Sequence, residues 1–314
     1  MNQTLRLHIT LPVAPSTVYR GITNSSSLQN WLTENARVSL SDGVFELWGR
    51  YLPGAPDRPA TKLTEAIENR LLRFTWNYKT QPLPVTLELA SSNKGTVLTL
   101  TQEIPERLPG EAGFNDFWGL SLENLRRLLL NGSGPLFCDH STVHRGEVAV
   151  TAQINRPPKE VFNGLIEPQQ LERYMADKAT VEPRAGGKYD FGWQGNGPIK
   201  ILELEPNHKL TYSWLDQDTV VTWTLEDSEG GTRLTLVHSG FGKDRSTDDY
   251  TAGWWKFINY LKSMVEIGDS WQEVQVESSV AISCSGSKTR RSHGNDATSP
   301  KAMGDDREAS EPIL

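Results

Sequence analysis

The sequence is short of several things, and each shortage removes a class of answer. Only two cysteines, Cys138 and Cys284, occur in 314 residues. They lie far apart, outside the periodic segments, so no disulfide framework is implied and a reducing compartment, the cytoplasm, is expected. No apolar run approaches the ~20 residues that span a bilayer. The opening MNQTLRLHIT lacks the basic and apolar regions of a secretion signal, so no membrane insertion or export is expected. Basic residues are outnumbered, 32 against 39, for a net charge of −7. Such a chain has little to offset nucleic-acid phosphates, so nucleic acid is excluded as a partner. Signature motifs are missing too: no GxSxG elbow, no HExxH, no pair of carboxylates held close. The glycine-rich GWQGNG (192–197) lacks the lysine and Ser/Thr of a phosphate loop, and reads as a hairpin or lid. Cys138, His140 and His144 space as C-x-H-x3-H, but a structural zinc site wants four ligands. No metal and no cofactor are expected.

What is present is a repeat. VTLELASSNKGTVLTLTQ (85–102) lies on VTWTLEDSEGGTRLTLVH (221–238), with 9 of the 18 positions identical. Three more blocks match in the same order. PSTVYRGITNSSSLQNWL from Pro15 matches PKEVFNGLIEPQQLERYM from Pro158, and LTEAIENRLLRFTW to Trp76 matches ILELEPNHKLTYSW to Trp214. WGLSLENL from Trp118 matches WWKFINYL from Trp254. Ordered blocks with small shifts of offset mean a duplicated domain with loop insertions. The expected division is copy one at 1–131, a linker at 132–144, copy two at 145–270, and a polar, Ser-rich, aperiodic tail at 271–314 expected to be disordered. Residues 138–271 hold 14 basic and 20 acidic groups against 13 and 12 in 1–137, so the acidic surface belongs to the second half. A solvated face explains it.

Each copy opens with an alternating strand (LRLHITL; EVAVTAQI), followed by two short helices with Pro near the first start. Six period-2 segments follow, separated by turn residues. A long helix closes each copy, at about 112–131 and 247–267, the second stopped by Gly268. The fold class is therefore α+β: two tandem domains, each a curved antiparallel sheet wrapped around a long C-terminal helix. A helix of ~20 residues is ~30 Å long, enough to lie across such a sheet and to leave a cavity beneath it.

The second copy resembles the helix-grip superfamily of START-like and pollen-allergen-like domains (SRPBCC), in the branch of the C-terminal domain of activators of heat-shock-protein-90 ATPase. GGKYDF (186–191), ILELEPNHKLTYSW (201–214), GGTRLTLVHSGF (230–241) and GWWKFINYL (253–261) carry the likeness. Copy one keeps the order but has QEIP where copy two has HSGF, and so diverges further. The resemblance spans about residues 3–131 and 145–268. It implies a role in modulating a chaperone ATPase. True activators join such a domain to a different N-terminal domain, and here a second copy stands instead.

Cavity candidates follow from alternation and helical spacing. In copy two they are Tyr189, Phe191, Trp193, Tyr212, Trp214, Trp223, Leu234, Leu236, His238, Trp254, Ile258 and Leu261. In copy one they are Phe74, Trp76, Leu98, Leu100, Gln102, Trp118 and Leu122. Of the adjacent Trp254 and Trp255, only Trp254 continues the Ile258/Leu261 stripe. Asp190 and Glu46 alternate outward. His238 has the chemistry of a general acid/base, yet no serine, cysteine or acid is placed beside it, so a hydrogen-bonded structural histidine is the preferred reading. The expected function is non-catalytic binding of an apolar or aromatic small molecule, with no catalytic residue assigned. The alternatives are an interaction protein that modulates a chaperone ATPase, and a cyclase- or hydrolase-type enzyme using His238 with Tyr189 or Tyr212.

Overall fold

The computed structural model describes residues 3–55, 57–104, 111–132, 134–195, 197–215 and 219–278. Copy one runs β1 (Gln3–Leu11), α1 (Pro15–Thr23), α2 (Ser25–Gln29), β2 (Asn35–Ser39), β3 (Val44–Trp48), β4 (Thr61–Ile67), β5 (Leu71–Tyr78), β6 (Gln81–Ser92), β7 (Gly95–Ile104) and α3 (Glu111–Leu129). Copy two repeats the order with β8 (Val148–Ile154), α4 (Pro158–Ile166), α5 (Pro168–Tyr174), β9 (Thr180–Val181), β10 (Tyr189–Asp190), β11 (Pro198–Glu205), β12 (Lys209–Trp214), β13 (Val220–Ser228), β14 (Gly231–Ser239) and α6 (Asp248–Ile267). A final strand, β15 (Gln275–Ser278), follows. Both copies thus carry the expected six strands between their helices, and α6 ends at Gly268 with φ 82°. Among the described residues no helix is long and apolar enough to cross a membrane.

The two main sheets are antiparallel, ordered β15-β1-β7-β6-β5-β4 and β11-β12-β13-β14-β8. Strict alternation drives them: β8 buries Val148, Val150, Ala152 and Ile154 and exposes the residues between. The repeated phrase at the start of β7 and β14 has a backbone reason. A Cβ on Gly95 would meet the Leu11 carbonyl oxygen at 2.2 Å, and one on Gly231 the Ile154 carbonyl oxygen at 2.1 Å. Only glycine lets the hairpin pass that close to the opening strand. The next residue fastens the crossing: the Thr96 hydroxyl donates to Val13 O at 2.7 Å, and Thr232 to Arg156 O at 2.6 Å.

The copies join through α3 and α6. Contacts advance together along both helices, from Asp116–Lys256 through Asn124–Asn259 to Arg127–Glu266, so the helices lie side by side and parallel. The joint is polar and buried. Lys256 Nζ sits 2.5 Å from Asp116 Oδ1, with both side chains under 5% exposed. Burial raises the Asp116 carboxyl above its ordinary range, against the pull of the lysine charge. Asn259 Nδ2 donates to Leu120 O and Asn124 Oδ1, and Arg127 donates to Ser263 Oγ and Glu266.

Two segments depart from expectation. The linker is packed over residues 136–140: Cys138 is buried with Leu120 and Ala252, and His140 N donates to Arg50 O at 2.7 Å. The expected tail is ordered over its first residues. Trp271 is 3% exposed, donates to Glu123 Oε1 at 3.1 Å, and leads to β15, which pairs antiparallel with β1. Burying an indole and completing a sheet edge outweigh the low hydrophobicity of the stretch. Residues 279–314, the remainder of that expected tail, lie outside the described residues.

Removing one member of a buried pair strands the other charge. Asp116→Ala is therefore expected to lower unfolding stability by ~3 kcal/mol in urea, and the double change Asp116→Leu/Lys256→Met to recover most of the loss. Trp271→Ala should cost about 3 kcal/mol through the cavity it leaves, read as a lower midpoint of the same transition.

Candidate functional site

The cavity candidates converge, one set inside each copy, and they fill the space between sheet and helix. All are buried except Trp193, which is half-buried. In copy one Trp76 packs edge-on to Phe114 and Trp118, with centroids 5.4 and 5.9 Å away. Phe74, Leu98, Leu100 and Leu122 complete that core. In copy two Tyr189, Phe191, Tyr212 and Trp214 form a chain of rings with centroids 4.6–6.3 Å apart. Trp223, Leu234, Leu236, Ile258 and Leu261 close it from the strands and α6. Trp254 is buried over the sheet, whereas Trp255 packs against the Leu120, Cys138 and Ala252 cluster. Asp190 and Glu46 face outward as expected, paired with Lys188 and Arg37.

His238 lies at the end of β14, fully buried. Trp254 Nε1 donates to its Nδ1 at 3.1 Å, and Thr219 Oγ1 lies 2.8 Å from its Nε2. An indole N–H can only donate, so Nδ1 must be the unprotonated nitrogen and Nε2–H donates to the threonine. Copy one makes the same tie with different chemistry: Trp118 Nε1 donates to Gln102 Oε1 at 2.6 Å. In both copies the last strand ends in an acceptor for the tryptophan of the long helix. Both ring nitrogens of His238 are engaged, and an amide serves equally in the other copy. The arrangement holds the helix to the sheet, with the His238 ring buried. Tyr189 is engaged as a donor and Tyr212 as an acceptor. Tyr189 donates to Leu165 O at 2.5 Å, Tyr212 accepts from Trp223 Nε1 at 3.1 Å, and burial pushes both phenols above their ordinary range.

Thr219 was not legible as a partner, because it sits in a turn 19 residues from His238 with no periodic pattern. Also missed were Tyr250, Phe257 and Asp249, which with Trp193, Trp214, Gly253 and Trp254 surround a mouth pocket in copy two. The void there is about 30 Å³, room for ~2 waters. Trp193 stacks on Phe257 at 5.9 Å, its indole donating to Met175 O at 3.2 Å. Burial, then the Asp248 charge, raises the Asp249 carboxyl above its ordinary range.

With this geometry in hand, the profile of the family described as Activator of Hsp90 ATPase homolog 1-like protein matches residues 12–130 and again residues 155–266. The chain belongs to this family. It holds two family domains in tandem, one per copy. Among solved structures, a protein from Mesorhizobium loti is 27% identical over 39% of this chain and 98% of its own, with a TM-score of 0.35. The Aha1 dimer from Colwellia psychrerythraea is 20% identical over 40% of this chain and 98% of its own, TM-score 0.37. DynU16, from the dynemicin biosynthetic locus, is 18% identical over 83% of this chain and 98% of its own, TM-score 0.33. No curated protein matches.

The shared tie between helix and strand end makes a clear expectation. His238→Gln keeps an acceptor for Trp254 and should shift stability by under ~1 kcal/mol. His238→Leu strands the indole N–H and the threonine and should cost ~2 kcal/mol, read in chemical denaturation.

Proposed function

We propose that copy two binds a flat apolar or aromatic small molecule, without transforming it, at the mouth between β12, the 192–198 loop and the first turns of α6. The observation that carries this reading is the mouth pocket itself. Trp193, Trp214, Tyr250, Trp254 and Phe257 wall a small void, and one wall, Trp193, is half-buried on a loop rich in glycine. Gly192 and Gly197 stand at φ 76° and 110°, and this loop backbone can rearrange more freely than a strand. A planar ligand would take the place of the Trp193 ring on Phe257 while the indole swings outward. Burying ~200 Å² of such a ligand at ~25 cal/mol per Å² contributes about 5 kcal/mol before the costs of association. Even that gross figure corresponds to a Kd of only ~0.2 mM, so weak binding with few polar contacts is expected. The committed hydrogen bonds of His238, Tyr189 and Tyr212 support binding over catalysis.

Family membership supports a second reading, contact with a chaperone ATPase. A change in the ATPase rate of Hsp90 on adding this chain would favour it, and an unchanged rate would remove it.

Titrating flavonoids, polyketides and lipids against intrinsic tryptophan fluorescence and melting temperature tests the first reading. At least one planar compound should quench fluorescence and raise the melting temperature, and Trp193→Ala, which removes the competing ring, should tighten that compound by about tenfold. A panel that moves neither signal, in the parent or in the Trp193→Ala variant, overturns the proposal.

A further inference from the structure

A second opening lies between the copies. It is a cleft of about 520 Å³, within the range of small-molecule sites. Tyr78 and Phe114 of copy one form its aromatic side, with ring centroids 5.1 Å apart. The segment 138–144 supplies Asp139 and His140, and the first turn of α6 supplies Asp248 and Asp249. Three carboxylates thus face Lys79, the one Lys or Arg among the described lining residues. The cleft is an acidic hollow with an aromatic side.

The carboxylates are unequal. Asp139 Oδ1 accepts from Ser141 N and Oγ. Burial works against its charge, but those bonds and the nearby Arg50 and His144 hold its carboxyl below the ordinary range. Asp248 accepts from His144 N at 2.7 Å and from Ser246 Oγ at 2.8 Å. The Asp249 carboxylate has neither a hydrogen bond nor an ion pair among the described residues, and it is exposed to solvent where it lines the cleft. The independent sign of a ligand comes from His140. Its ring lines the cleft, its edge lies against Phe117, and its Nε2 is buried with no hydrogen-bond partner. Burial, then the neighbouring His144, lowers its pKa to about 4, so the ring is neutral at pH 7. A buried imidazole nitrogen without a partner is a group that a bound molecule would satisfy.

We propose that this cleft binds a small organic amine, its ammonium held among Asp139, Asp248 and Asp249 and its apolar or aromatic body lying along Tyr78 and Phe114. An ammonium supplies what each wall needs. It donates to carboxylates and is attracted to the ring faces, and Lys79 is the one opposing Lys or Arg charge among the described lining residues. An anionic ligand would face three carboxylates with one lysine in its favour.

The test is calorimetric titration of the intact chain with tryptamine, beside indole-3-acetate and 3-ethylindole, which share its ring but replace the ammonium with a carboxylate or a methyl group. Tryptamine is expected to bind at ~1 mM or tighter, and the other two at least about tenfold more weakly. Asp139→Asn, a residue of the cleft and not of the mouth in copy two, should weaken tryptamine by about tenfold at an unchanged melting temperature. Should that variant unfold, Lys79→Asn replaces it. Asn tolerates the left-handed backbone there, φ 45°, and loss of the opposing charge should tighten tryptamine about threefold. Equal binding of the three indoles overturns the proposal, as does the absence of tryptamine binding or insensitivity to a folded variant. Any of these leaves the mouth pocket reading intact, because Asp139 and Lys79 do not line that pocket.

Discussion

The structure depends most on the parallel packing of α3 against α6. Each long helix must cover its own sheet with one face, and the face left over would otherwise meet water. In this chain the two leftover faces meet each other. Parallel helix dipoles side by side repel, so the seam needs charge to offset them. Acids open α6 (Asp248, Asp249) and bases close α3 (Arg126, Arg127), as the dipoles favour, whereas the last turn of α6 carries Glu266, which the Arg127 and Lys262 charges meet. The crossed pairs Asp116–Lys256 and Arg127–Glu266 also select one register, since a one-turn slip would bury a charge without its partner. The copies behave as a two-fold pair fixed in one chain: the position of the Asp116–Lys256 pair is taken, on the other side of the pseudo-axis, by apolar Leu120 and Ala252.

That seam explains why the copies differ outside their cores. After α6 the chain crosses back, seats Trp271 on Glu123 and Arg126 of α3, and adds β15 to the edge of β1. Copy one's sheet edge is covered by copy two's continuation. The segment after α3 instead runs between the copies and brings Cys138, His140 and His144 into the cleft. One linker therefore both joins the domains and lines a hollow between them. Inside each copy the chemistry is conservative: strand end and helix are tied by Trp118–Gln102 or Trp254–His238. His238 looked like a reactive group and is a hydrogen-bond acceptor in the frame.

The repeat, the α+β class, seven strands per copy, the long helices and the aromatic cores are all legible in the sequence. Alternation and helical spacing are local signals, and each core side chain obeys one of them. Gln102 and His238 could be matched by alignment of the copies, but their common partner could not. The tie runs from a strand end to a helix 16 residues later, and which face of that helix meets the strand is a matter of packing. Thr219, Tyr250 and Asp249 were hidden for the same reason, since turns and first helical turns carry no period. The polar composition of 271–278 gives no sign of order, and it is a waiting sheet edge and an indole site that order it.

The sequence by itself determined the domain and its duplication, because burial on one strand face or one helix stripe is written in periods of two and 3.6 residues. Only the tertiary structure decided where polar atoms end up. It made His238 a strut, turned the linker histidines and two helix-start aspartates into one cleft, and chose which helix faces join. Those outcomes depend on directions between elements far apart in the chain, and local patterning holds no record of them.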